Sequence, residues 1–256
     1  MDGVRFTIAT VTFNAGTSVE RTLRSVGEQD YGEIEHLIID GRSTDGSLDL
    51  LRTYADRNPK ARLLSEADHG LYDAMNKAIA LATGDYLLFL NAGDCLHAKS
   101  TLSEIAALIG NMREAERPGV IYGDTHVVDG EGRFVRRRRL SPPKRLTWRS
   151  FKRGMLVCHQ AFLVRSDIAR TESYDLDYKL SADFDWCVRV LKECERRGLQ
   201  PLNSAMVIAD FMEGGLSTKR HWASLRERFR VMRRHYGLVT TVGMHFYFLL
   251  RAVRKR

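Results

Sequence analysis

His36-Leu37-Ile38-Ile39-Asp40-Gly41-Arg42-Ser43-Thr44-Asp45-Gly46-Ser47 is the stretch on which the fold turns. An apolar run stops at an aspartate, and a loop of Gly, Ser and Asp follows before helical spacing resumes over Leu48 to Tyr54. Such a run predicts a buried strand, and the Asp-Gly pairs predict tight turns at its end. The same alternation extends in both directions. Upstream, Thr7 to Phe13 reads as a strand, and Val19, Leu23 and Val26 keep helical spacing. Downstream, Ala61 to Ser65 reads as a strand, Leu71 to Ala82 as a helix and Tyr86 to Leu90 as a fourth, almost wholly apolar strand. This order predicts an α/β fold with a mainly parallel central sheet covered by helices on both faces.

In such sheets ligands bind beyond the carboxyl ends of the strands. The residues there are Asn14-Ala15-Gly16, Asp40 to Ser47, Glu66-Ala67-Asp68-His69-Gly70 and Asn91-Ala92-Gly93-Asp94. Carboxylates from neighbouring strand ends repel one another unless a cation sits among them. A hard divalent ion with oxygen ligands is the expected occupant, and the glycines let backbone approach it closely.

The second half predicts a hairpin of Val120 to Val128 with Arg133 to Arg138, a short strand over Gln160 to Arg165 and a helix from Ser181 through Arg197, ended by Gly198. A basic helix over His221 to His235 follows, then an apolar segment from Leu238 to Val253, too short for a confident membrane span. The division expected is residues 1–218 as one domain and 219–256 as a basic amphipathic extension. The net charge of +8 concentrates at Arg136 to Arg139, Lys144 to Lys152 and from Lys219 onward, which suits an anionic membrane, nucleic acid or a phosphorylated substrate. No secretory signal pattern opens the chain, and Cys95, Cys158, Cys187 and Cys194 lack metal-binding spacing. A cytoplasmic protein with reduced thiols is expected.

Read together, Thr10 to Asn14, Ile39 to Gly46, Tyr72 to Lys77, Phe89 to Asp94, His159-Gln160-Ala161-Phe162, Ser181-Ala182-Asp183 and Gly214-Gly215-Leu216-Ser217-Thr218 resemble, in order, a family 2 glycosyltransferase of GT-A fold. The branch they resemble is that of colanic acid and other exopolysaccharide glycosyltransferases. The resemblance implies an inverting transfer from a nucleotide-sugar, UDP-sugar favoured, to a hydroxyl on a glycan or lipid-linked acceptor. It implies that Thr12, Phe13, Asn14, Asp40, Asp68, Asn76 and Asn91 line the donor site. Some relatives carry a second Asp after Asp40, where this chain has Gly41. Of the family's Asp-x-Asp metal motif only Asp94 remains, as the ligand candidate for Mn2+ or Mg2+. Asp183 matches the general base, and His159 and Gln160 are candidates for the acceptor side. The acceptor class implies the inner face of the cytoplasmic membrane, reached peripherally through the C-terminal segments.

Blander alternatives stand beside these. Asp183 could only cap its helix, Asp94 could be a turn aspartate, and His159 a satisfied core histidine. Tyr72 and Met75 read as core, and Asp73 with Lys77 as a helix-supporting pair. A sugar nucleotidyltransferase would carry basic residues in its first loop, which Asn14 to Ser18 lacks. A nucleic-acid-binding protein would leave the carboxylates unexplained, since they repel phosphate.

Overall fold

A computed structural model describes residues 3–214 and 220–253. Gly215 to Thr218 of the last motif, Lys219 and the terminal Arg254-Lys255-Arg256 lie outside the described residues.

The first half follows the sequence closely. β1 (Phe6–Thr12), α1 (Ser18–Gly27), β2 (Ile34–Asp40), α2 (Ser47–Arg57), β3 (Ala61–Ser65), α3 (Leu71–Leu81) and β4 (Tyr86–Phe89) alternate as expected. Every residue of β1, β2 and β4 is buried, because helices cover both faces. Successive side chains serve opposite layers. Ala9, Val11, Leu87 and Phe89 join one core with α3, whereas Phe6, Ile8, Leu88 and Leu90 join the other. β2 begins two residues earlier than its apolar run because Glu35 and His36 are satisfied inside the protein. Glu35 accepts from Thr7 Oγ1 (2.6 Å), Thr83 N (2.8 Å) and Arg62 (2.6 Å). His36 bonds Thr10 Oγ1 (3.0 Å) and the Tyr54 hydroxyl (2.9 Å), and burial drives its pKa down to about 3, so it stays neutral.

The sheet order is β3-β2-β1-β4-β8-β6-β9-β5, with β7 (Phe134–Arg137) pairing β6 (Val120–Val128). It is parallel from β3 to β4 and mixed beyond: β8 (Phe162–Arg165) runs antiparallel to β4 and β6, while β9 (Leu202–Met212) is parallel to β6. β5 is the two-residue edge Cys95–Leu96. From β1 the chain steps outward to β2 and β3, then returns to β4 on the other side of β1. That reversal puts the loop that follows β1 and the turn Asn91 to Asp94 at the carboxyl ends of neighbouring strands, the place where such sheets bind ligands.

Helices α4 (Thr101–Ile109), α5 (Ser166–Ala169) and α6 (Ala182–Arg196) complete the layers. Residues 159–161 form a 3-10 turn rather than the start of the expected strand, which sets His159 and Gln160 off the sheet. The chain ends in α7 (His221–Tyr236) and α8 (Leu238–Val253), joined at Gly237, whose φ of +78° favours glycine. α7 is bound to the body. Glu227 accepts from the amides of Lys179 and Leu180, Val231 and Met232 are buried in the first core, and Tyr236 stacks on Trp148.

Candidate active site

The loop after β1 and the loop after β2 are tied into one platform. Asn14, held at φ +48°, donates its amide to Ser43 Oγ (2.9 Å) and accepts Thr44 N on its side chain (2.8 Å). Asp40 lies beneath, wholly buried, accepting from Ser43 N (3.1 Å), Ser43 Oγ (2.5 Å) and Ser65 Oγ (2.6 Å). It therefore ties the loop after β2 to the end of β3. Phe13 stands above at 64% exposure. A Cβ added at Gly41 would meet Asp68 Oδ2 at 2.6 Å and the Phe13 ring at 3.2 Å. Glycine at 41 thus leaves that space to the Asp68 carboxylate.

Asn76 is held by the loop that carries Tyr174. Both ends of its amide engage the Tyr174 backbone, donating to O (3.0 Å) and accepting from N (2.7 Å), so it clamps the loop before α6. Lys77 reaches Glu66 (2.8 Å) and Ala67 O (2.8 Å), and Asp73 accepts His69 N (2.9 Å), so the expected helical pair is replaced by two loop ties.

At β4 the turn Asn91 to Asp94 is held by Thr22 of α1, whose hydroxyl donates to Asp94 O (2.7 Å) and accepts from Gly93 N (2.8 Å). Asp94 is 3% exposed. Its carboxylate accepts Met212 N (2.9 Å) and Gln160 Nε2 (2.8 Å). Burial outweighs these neutral donors and raises its pKa from 3.8 to about 6. Gln160, 2% exposed, is the side chain that makes this bond to Asp94. Two polar atoms lining these strand ends are buried without a protein partner: Thr12 Oγ1 and Asn91 Oδ1. Asn91 Oδ1 and the Asp94 carboxylate, whose oxygens accept Met212 N and Gln160 Nε2, are oxygen donors of the kind a hard divalent cation takes.

The Asn91 amide nitrogen lies 3.2 Å from His159 Nε2, and His159 Nδ1 lies 3.5 Å from Asp183 Oδ2. Asp183 also accepts Phe184 N (2.9 Å) and the Tyr72 hydroxyl (3.4 Å) through Oδ1. It therefore braces its helix start with one oxygen and faces His159 with the other. Burial opposes its charge, but the His159 ring, the Arg228 guanidinium and the Phe184 amide outweigh it and hold its pKa below the ordinary carboxylate value. Asp185 points elsewhere. It is wholly buried, bonded to Arg189 (2.6 Å) and His235 (2.7 Å), and joins α6 to α7. Beside Tyr72 lies a cavity of about 300 Å³ lined by His69, Asp73, Tyr178, Lys179 and Arg220 among others. A larger cavity of about 580 Å³ lies between α1 and α2, lined by residues such as Gly27 and Lys60 and by none of the strand-end groups.

Tyr72 and Thr22 are contributors that sequence reasoning missed. Thr22 left one signal, a polar residue on the buried face of an otherwise apolar helix pattern, and it is wholly buried.

The α/β sheet carries at its strand ends an exposed ring, Phe13, and a buried carboxylate, Asp94, with the helix-start carboxylate Asp183 linked to Asn91 through His159. The chain belongs to Glycosyl transferase family 2, which it matches over residues 7–171, and it is a glycosyltransferase. It is 36% identical over 216 residues to a PGL/p-HBAD biosynthesis glycosyltransferase of Mycobacterium bovis, covering 83% of this chain and 78% of the relative. It is 26% identical over 201 residues to the amylovoran biosynthesis glycosyltransferase AmsB of Erwinia amylovora, covering 75% and 65%. Its GT-A fold is that of S. aureus TarS 1-349 in complex with UDP-GlcNAc, at TM-score 0.69, 18% identity and 90% of this chain. It is also that of the mannosyltransferase PcManGT from Pyrobaculum calidifontis in complex with GDP-Man and Mn2+, at TM-score 0.63, 18% identity and 91% of this chain. This chain spans 64% of each of those two structures.

Proposed function

We propose that the chain is an inverting, metal-dependent glycosyltransferase. It moves a sugar from a nucleoside-diphosphate sugar, UDP-sugar favoured, to a hydroxyl on a glycan or lipid-linked acceptor. The exposed Phe13 ring beside Gly41 and Asp68 is the observation that carries this reading. The base stacks on the ring, and Asp68 takes the base-reading role that a second Asp plays in some relatives. Asn91 and Asp94 would hold a divalent cation, which would supply countercharge for the departing diphosphate. Asp183, ionised and oriented by His159 and Tyr72, takes the acceptor's proton as its oxygen attacks the anomeric carbon, and a single displacement inverts that carbon. The acceptor enters through the cavity beside Tyr72.

A base stacked on an aromatic ring contributes about 1–3 kcal/mol, so Phe13→Ala should raise the UDP-sugar Kd about 5- to 150-fold. The melting temperature without ligand should hold, since the ring buries little. UDP-sugar with Mn2+ should raise the wild-type melting temperature while DNA does not. An unchanged Kd in the variant would remove Phe13 from the donor site, and a shift with DNA alone would favour a nucleic-acid role.

We also assign the chain a peripheral seat on the cytoplasmic leaflet. α8 turns Met244 and Phe248 onto the core and leaves Val239 (88%), Val242, Phe246, Leu249 and Leu250 exposed at helical spacing. Arg226, Arg230 and Arg233 of α7, also at helical spacing, are exposed nearby in sequence. A contiguous apolar stripe with basic neighbours suits insertion at an anionic interface. No helix among the described residues is long and apolar enough to cross a membrane. Binding to vesicles containing anionic lipid is expected at low salt and should fall at high salt. A chain truncated before α7 should not bind, and equal binding by both chains refutes the assignment.

A further inference from the structure

We propose that His97, His126 and Asp210 form a transition-metal site, separate from the donor-site cation, that takes Zn2+. Three strands bring them to one face. His126 of β6 is the register partner of Asp210 of β9. Cys95 of β5 is also a partner of Asp210, and His97 lies two residues past Cys95, so it falls on the same face. One ligand atom from each of the three residues lies within 4.8 Å of the others. The ligand atoms around one tetrahedral zinc are about 3.3 Å apart, so a small side-chain adjustment closes the set. His97 is exposed and can make it, while the other two are half-buried, which leaves an entry path.

The surroundings resemble a prepared site more than a surface ion pair. An ion pair needs one imidazole, and His97 Nδ1 already meets Asp210 Oδ1 at 2.8 Å. The second ring, His126, is set edge-on to His97 with centroids 4.9 Å apart, and Phe134 packs on its other side at 4.8 Å. Its ring nitrogens have no protein hydrogen-bond partner among the described residues, although the ring is half-buried and held in place. Two imidazoles and one carboxylate are a borderline donor set that suits zinc and leaves a fourth position for water. The site would cross-link the short edge strand β5 to β9 and β6. Asp94 immediately precedes β5, and Met212 N, its backbone donor, lies two residues past Asp210.

Zinc titration of the full chain, without nucleotide-sugar, should show one tight equivalent and a raised melting temperature. Loss of an outer-shell partner alone costs about 10–100-fold in metal affinity, so His126→Gln and Asp210→Asn should each weaken binding by more than about 100-fold. Both variants should melt with wild-type cooperativity in the absence of metal, which separates lost ligation from lost fold. Asp94→Asn should bind zinc as the wild type does. Co2+ in the wild-type protein should give a four-coordinate spectrum without thiolate charge-transfer absorption, which excludes Cys95 and Cys158 as the ligands. Zinc affinity unchanged in His126→Gln and Asp210→Asn, or a thiolate signature with Co2+, overturns the proposal. So does a wild-type chain that binds zinc no more tightly than these variants.

Discussion

Asp183→Asn should lower turnover by about 10²-fold or more, with the UDP-sugar Kd and the melting temperature nearly unchanged. The amide keeps the size of the carboxylate, and its oxygen can still accept from Phe184 N, so the helix start survives. What disappears is the basic oxygen that faces His159. The neighbouring Asp185→Asn should do the reverse. Asp185 is wholly buried between Arg189 and His235, and breaking a buried ion pair from one side costs about 3–5 kcal/mol. Its variant should melt early and, while folded, turn over near the wild-type rate. Steady-state kinetics with thermal melts on the two variants decides the matter. A near wild-type rate for Asp183→Asn would move the base elsewhere. Because the Asp183 pKa lies below the ordinary value, Asp183 stays ionised through the mildly acidic range, and an acid limb of the rate near pH 6 would belong to another group.

The N-terminal half was legible because three of its strands, β1, β2 and β4, are covered on both faces. Burial on both sides erases alternation and leaves continuous apolar runs ended by Gly and Asp, which are easy to read. β9 was not legible for the opposite reason. Its eleven residues mix Asn203, Ser204 and Asp210 with apolar positions, Ala205 takes φ +58°, and the register to β6 shifts twice. Tertiary pairing, not local pattern, makes it a strand. α4 had no counterpart in the sequence reading either, although Leu102, Ile105 and Ile109 keep helical spacing and are buried. At the site, spacing and resemblance pointed to Phe13, which is exposed, and to Asp183, which holds its helix start with one oxygen and faces His159 with the other. They could not distinguish a polar side chain that faces the strand ends from one that fixes their loops. Asp40 and Gln160 carry family motifs, yet both are wholly or almost wholly buried in bonds that fix the loops. Tyr72 looked like core because it is core, at 7% exposure, with only its hydroxyl reaching Asp183.

Asp94 allows the sharpest separation of chemistry from stability. Asp94→Asn and Asp94→Ala should both abolish metal-dependent transfer, but they should shift the melting temperature in opposite directions. The folded pKa of about 6 lies above the ordinary 3.8, so folding favours the protonated form. The associated stability is fully present below about pH 4 and is lost as pH rises through about 6, a difference of about 3 kcal/mol by pH 8. Asparagine cannot ionise and escapes that loss. Its oxygen can keep the Met212 amide, and Gln160 can turn its own amide to present oxygen to the new NH2 group. Without metal at pH 8, Asp94→Asn should therefore melt at or above the wild-type temperature, with the difference vanishing near pH 4. Alanine leaves the Met212 and Gln160 donors buried and unpaired, each at about 1–3 kcal/mol, and should melt below wild type at both pH values. Saturating Mn2+ should raise the wild-type melting temperature more than that of either variant, because only the wild type offers a carboxylate to the ion. If Asp94→Asn transfers sugar at the wild-type rate in Mn2+, Asp94 is a strut between β4 and β9 and the cation is held by other groups.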